Sequence, residues 1–235
     1  MKLQLITLIT IIFFLSCNEN IQKNRSSYNS TENKQPAEKL SFEGVVKYSV
    51  ETETKIKDKY SDYRSQKYGD KMDFYWSRNG SQMRKSSGNS TGLEYSIYNK
   101  EENLSYTKFR NIDTLYYYDS GEILDRIIEI RNGPEEKILN QICKSLVFDI
   151  ESSFQKDTIQ MIYFYSGIPY IDQALFTEMK DGFADILYHR TESPFMKMIL
   201  DYNTHTLTYT ALEIIEKNID KKTFKISEEL PKVKY

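Results

Sequence analysis

The 235-residue sequence predicts a mainly β domain: a strongly curled antiparallel sheet, or half-open β-barrel, of about ten to twelve strands with one or two short helices. Three observations carry this. Apolar and polar residues alternate with period two through most of the chain after residue 41, the pattern of strands with one buried face. Turn-forming residues interrupt that pattern roughly every 10 to 15 residues. The 19 tyrosines and 12 phenylalanines suit strands. So many strands exceed what an open twisted sheet usually holds without curling.

The N-terminus is read separately. Lys2 precedes the apolar run Leu3 to Leu15, which is too short to span a bilayer and has the length of a signal-peptide core. The run ends at Leu15-Ser16-Cys17 and turns polar at Asn18. That junction resembles a bacterial lipobox, with Phe14 where the strict pattern prefers Leu. The resemblance implies cleavage before Cys17 and acylation of Cys17, and so a lipid-anchored protein. Residues 18 to 38 carry one isoleucine and one tyrosine among Asn, Ser, Lys, Glu and Gln, too few apolar groups to offset ordering entropy. The expected organisation is a signal peptide over 1–16, a lipidated cysteine and flexible tether over 17–40, and a single β domain over 41–235. Asn18 stands where an inner-membrane retention signal commonly has Asp, which points to the outer membrane.

Strand patterns follow in order. Phe42, Gly44, Val46, Tyr48 and Val50 alternate with polar residues, as do Met72, Phe74 and Trp76, and Leu93, Tyr95 and Ile97. Leu146, Phe148 and Ile150 repeat the pattern, then Met196, Met198, Leu200 and Tyr202, then Leu207, Tyr209 and Ala211. Turns are expected at Arg78-Asn79-Gly80, Ser87-Gly88-Asn89, Asn99 to Glu102, Asp119-Ser120-Gly121, Arg131 to Pro134, Lys180-Asp181-Gly182 and Tyr202-Asn203-Thr204. Lys57 to Lys71 reads as a short helix or an ordered loop. Ile171, Leu175 and Met179 predict an amphipathic helix over Tyr170 to Met179. Leu212 to Asn218 suits either strand or helix.

Composition excludes several functions. Removal of residues 1–16 leaves 31 basic and 34 acidic residues, with no basic patch, which argues against nucleic-acid binding. Cys143 would be the only thiol left in the mature chain and is expected to be a buried apolar residue. His189 and His205, placed on adjacent strands, would be the sole histidines available to a metal; bystander roles are favoured, and no metal or cofactor is expected. No nucleophile elbow, HExxH, P-loop or dinucleotide fingerprint is present, so an enzyme is not expected. Tyr116-Tyr117-Tyr118 could stack sugars, but a buried strand explains the same letters.

Several stretches together resemble the lipoprotein-carrier (LolA/LppX-like) half-barrel of Gram-negative secreted proteins. They are Ile138 to Ser145, similar to that family's glycine-tyrosine-x-cysteine strand with Asn140 in place of Gly; Tyr163 to Pro169; Gly182 to Tyr188; and Thr210 to Ile214 leading to Phe224-Lys225-Ile226. The resemblance covers only the latter half of the chain in motif. It implies a concave apolar surface able to hold an acyl chain. Phe74, Trp76, Tyr95, Ile97, Tyr106, Tyr163, Tyr165, Met196 and Met198 are the residues expected to line such a cleft. The expected function is a membrane-anchored envelope lipoprotein binding a lipid or acyl chain. The alternative is a structural or interaction subunit of an outer-membrane or cell-surface complex, its partner another envelope protein.

Overall fold

The computed structural model describes residues 39–123, 125–153 and 157–235; Cys17 and the predicted signal peptide lie outside them. Thirteen strands among the described residues form one open sheet. They are β1 (Gly44–Thr54), β2 (Lys71–Trp76), β3 (Gln82–Ser87), β4 (Leu93–Asn99), β5 (Leu104–Phe109), β6 (Leu115–Asp119), β7 (Arg126–Asn132), β8 (Glu136–Ile138), β9 (Gln141–Ser152), β10 (Asp157–Tyr165), β11 (Lys197–Asp201), β12 (His205–Glu216) and β13 (Lys232–Lys234). Their order is β13-β6-β5-β4-β3-β2-β1-β12-β11-β10-β9-β7, with β8 beside β7 on β9. Every pair is antiparallel except β13 with β6. Two short helices complete the fold, α1 (Ser61–Tyr68) and α2 (Ala184–Thr191).

The curl follows from one segment. β6 and β9 are nine strand steps apart, about 43 Å in a flat sheet. Yet the Tyr118 hydroxyl of β6 donates to Asp181 at 2.7 Å, and two residues on, the Phe183 ring stacks on Phe148 of β9 with centroids 6.3 Å apart. Two residues span at most about 7 Å, and even with the side chains added the path falls well short of the flat distance, so the sheet must curl around this segment. Phe183 holds a left-handed backbone (φ 58°) to place its ring there, a conformation that costs on the order of 1 kcal/mol.

The register sorts residues onto two faces. Val46 pairs with Phe74, Phe74 with Arg84, Arg84 with Ser96 and Ser96 with Thr107, so these share the concave face. From β1 toward β9 that face is apolar: Tyr48, Leu207, Met161, Tyr163, Leu146 and Phe148 are all buried on it. From β3 toward β6 it is polar, with Gln82, Arg84, Ser96, Ser105 and Thr107. Tyr98, Tyr116 and Tyr118 also share that inner face, while the remaining large apolar residues face outward. Ile97 (3% exposed), Tyr106 (6%) and Leu115 (0%) are nonetheless buried, because the chain after β12 crosses their face. Its 3-10 turn at Lys221–Phe224 lies against β3 and β4, the Leu115 amide donates to Pro231, and β13 adds itself to β6.

Helix positions differ from the sequence reading. Tyr170 to Met179 is not an α-helix; only Gln173–Phe176 forms a 3-10 turn, capped by the Asp172 carboxylate on the Ala174 amide. Both ends are pinned, Ile171 to Glu192 and Lys180 to Ser120, which stretches the segment across the concavity. The helix comes later, at α2, where Ala184, Leu187, Tyr188 and Thr191 form a buried stripe at i, i+3, i+4 and i+7. Lys57 to Lys71 contains α1, and Leu212 to Asn218 continues β12 as strand as far as Glu216. His189 sits exposed on α2 and His205 buried on β12, so the two are not on adjacent strands. Asn140 has φ 63° in the β8–β9 turn, a left-handed position that Asn tolerates and that accounts for its standing where glycine is expected.

Candidate functional site

The concave face is the candidate site, and its filling begins with the segment 170–196. Phe176, Met179, Phe183, Leu187, Tyr188 and Phe195 all drop into the core from it. Two tyrosines of the sheet hold its backbone: Tyr48 donates its hydroxyl to the Phe195 carbonyl at 2.8 Å, and Tyr163 donates to Ser193 at 3.1 Å. Burial raises both phenols well above their ordinary range, so both stay protonated donors. These tyrosines are therefore structural pins.

The nine expected cleft residues separate accordingly. Phe74, Trp76, Tyr163 and Met196 meet on the concave face but are fully buried. Trp76 lies edge-on to Phe176 (6.0 Å) and Tyr188 (5.5 Å), both on the covering segment. Met198 and Tyr165 share that face and stay half-buried, packed at the edge of the core. Tyr95, Ile97 and Tyr106 are on the outer face, beneath the C-terminal segment, where the Lys232 ammonium sits 5.9 Å from the Tyr106 ring. These three do not join the concave set. Alternation fixes which residues share a face of one strand; it does not fix which face is concave.

Beyond the covering segment the concave face keeps partly accessible residues along two walls. On one, Met198, Leu200 and Tyr209 are half-buried neighbours in the β11–β12 register. Burial raises the Tyr209 hydroxyl, with the Arg84 guanidinium opposing it. On the other wall stands Arg84, exposed, its guanidinium 4.9 Å over the Phe74 ring. The walls connect through rings: Phe74 to Phe195 at 6.2 Å and Phe195 to Tyr209 at 6.3 Å.

Sequence reasoning missed Arg84 and its neighbour Gln82, because β3 (QMRKSS) has one large apolar residue and no alternation to mark it as a strand. Gln82, Arg84, Ser96, Tyr98, Ser105, Tyr118, Met179 and Asp181 enclose a polar slot of about 30 Å³. Burial, then the Glu178 carboxylate, push Tyr98 up to about 12. A separate hollow of about 260 Å³ opens at the rim between Tyr118, Ile123, Phe183 and Tyr235, bordered by Asp119, Glu122, Asp125 and Asp181. Its acidic border makes it a poor host for an anion.

Cys143, in β9, is fully buried and its thiol pKa is raised by that burial, which makes it a poor nucleophile. Among the described residues no helix is long and apolar enough to cross a membrane. No protein-family model matches the chain, and no curated protein matches it.

Proposed function

We propose that this chain is a lipid-anchored envelope protein without catalytic activity, whose curled sheet binds a hydrophobic ligand, a lipid or acyl chain. The observation that carries the reading is the partly accessible stretch of the concave face. Met198, Leu200 and Tyr209 keep partial exposure there, beside Arg84, which forms no ion pair among the described residues. Apolar concave surface with a few polar groups is the usual chemistry of a ligand site. The lipobox-like Leu15-Ser16-Cys17 supports outer-membrane anchoring, since two or three acyl chains hold a protein stably at a bilayer. The resemblance to lipoprotein-carrier half-barrels supports the same use of the fold, and a fixed receptor or chaperone-like role suits an anchored protein better than shuttling.

Two measurements test this. The wild-type protein should partition into detergent and Cys17→Ser should not. The purified domain should bind a fluorescent fatty-acid analogue saturably at micromolar levels, roughly −8 kcal/mol, and Met198→Glu should weaken that binding. Equal partitioning of both proteins would remove the anchor; no saturable binding would remove the ligand.

One observation favours the alternative, an interaction subunit of an envelope complex. β7 is an edge strand with Ile128 53% exposed, a surface that a partner strand can extend.

A further inference from the structure

We propose that the polar slot at Arg84 takes the anionic head group of a single-chain amphiphile, whose chain lies along Met198, Leu200 and Tyr209. This rests on the hydrophobic-ligand reading above and specifies its ligand.

The first observation is an unpaired donor. Gln82 is 2% exposed and lines the slot, and its Nε2 has no hydrogen-bond acceptor. The Tyr188 hydroxyl is near enough to feel the amide but outside hydrogen-bonding geometry. Its cross-strand partner on the same face, Trp76, likewise has a buried Nε1 without an acceptor. A buried donor left unmade costs about 1 to 3 kcal/mol, so two on adjacent strands mark a place where an acceptor belongs.

The second observation is charge. Arg84 makes no ion pair and no hydrogen bond among the described residues; its guanidinium lies over the Phe74 ring and faces the Tyr118, Tyr188 and Tyr209 hydroxyls. The one carboxylate in the slot, Asp181, accepts the Tyr118 hydroxyl at 2.7 Å and forms no ion pair with Arg84. A guanidinium presents a planar fork that matches a carboxylate or phosphate, and such charge-assisted bonds are the strong ones. Ser96 and Ser105 add hydroxyls to the same slot.

The third observation is size. About 30 Å³ holds a head group of a few atoms and no chain. Phe74 and Phe195 are buried and closed to a ligand, but the Arg84 guanidinium lies close enough to Tyr209 to oppose the rise of its hydroxyl pKa, and Tyr209 pairs with the half-buried Met198, so a chain leaving the slot on the Arg84 side meets that pair.

Trp76 is the sole tryptophan and pairs across the sheet with Gln82, so its fluorescence reports on the residues beside the slot. The full-length protein in detergent-free nanodiscs should be titrated with decanoate, decanol and inorganic phosphate. Decanoate should bind roughly tenfold tighter than decanol, the ratio expected for one charge-assisted contact. Arg84→Gln should abolish that preference by lowering decanoate affinity about tenfold, and Arg84→Lys should retain most of it. Gln82→Met should lower decanoate affinity while raising the melting temperature of the unliganded protein. Equal wild-type affinities for decanoate and decanol would overturn the head-group assignment and leave the hydrophobic site standing. Inorganic phosphate reproducing the decanoate response at the same concentrations would make this a free-oxyanion site and overturn the amphiphile. No saturable binding by decanoate or decanol would overturn both readings.

Discussion

The two halves of the sheet solve the same burial problem in opposite ways. Around β1 and β2 and on through β12 to β9, the apolar stripe faces inward and is covered by the chain's own segment 170–196. From β3 to β6 the stripe faces outward and is covered by the C-terminal segment that ends in β13. The inner face of that second half is freed to carry polar groups, and Arg84 and Gln82 stand on it. A curled sheet therefore need not be greasy inside throughout. Covering one half from within and the other from without leaves a concavity with one apolar wall and one polar wall.

The comparison breaks most sharply if the outer cover is removed. Deletion of residues 219–235 uncovers Ile97, Tyr106 and Leu115, each worth about 1.5 to 3 kcal/mol of burial. The deletion should cost about 5 kcal/mol. Amide exchange should accelerate first in β4 to β6, leaving β9 to β11 protected. Uniform loss of protection would show that the halves are not separately covered.

A substitution in the inward-covered half has a smaller effect. Trp76→Ala removes a side chain that is 1% exposed among Phe74, Phe176 and Tyr188. Denaturant unfolding should show a loss of about 3 to 5 kcal/mol. A loss under about 1 kcal/mol would mean that Trp76 lines an open cleft after all.

The smallest effect is a pH dependence at the far end of β12. His205 is 5% exposed, stacked between Tyr68 (5.6 Å) and Tyr202 (4.6 Å), with Thr204 Oγ1 2.9 Å from its Nδ1. Burial is the main cause that lowers its pKa below 6.5, helped by the charges of Arg64, Lys67 and Lys55. The unfolded chain thus binds the proton more readily than the folded one. His205 favours folding fully above about pH 6.5, and stability falls as pH drops from there through the lower folded pKa. His205→Gln should flatten the stability profile in that window; an unchanged slope would assign it to other groups.

Much of the fold was legible from alternation. The strands β1, β2, β4, β9, β11 and β12 stand where apolar and polar residues alternate, and the turns after Trp76, Ser87, Asn99 and Asp201 fall at the expected Gly, Asn and Glu clusters. The α2 helix was visible in the spacing of Ala184, Leu187, Tyr188 and Thr191, but Phe183 and the adjacent Gly182 break the pattern at its start. β3 was not legible, because a strand whose inner face is polar and whose outer face is half covered has no strong stripe. The site divided for the same reason. Tyr95 and Ile97 alternate as Phe74 and Trp76 do, and only the path of residues 217–231, far away in sequence, decides that the first pair points outward.

The claim at the centre of this account is that the concave face holds a hydrophobic molecule in the cell envelope. A native mass spectrum of the full-length protein, extracted from membranes, tests it most directly. The account predicts a discrete adduct of lipid mass beyond the acylated polypeptide, diminished in Arg84→Gln and in Met198→Glu. A bare acylated mass, or a mass that includes a second protein and no lipid adduct, would contradict it and leave the interaction-subunit reading in its place.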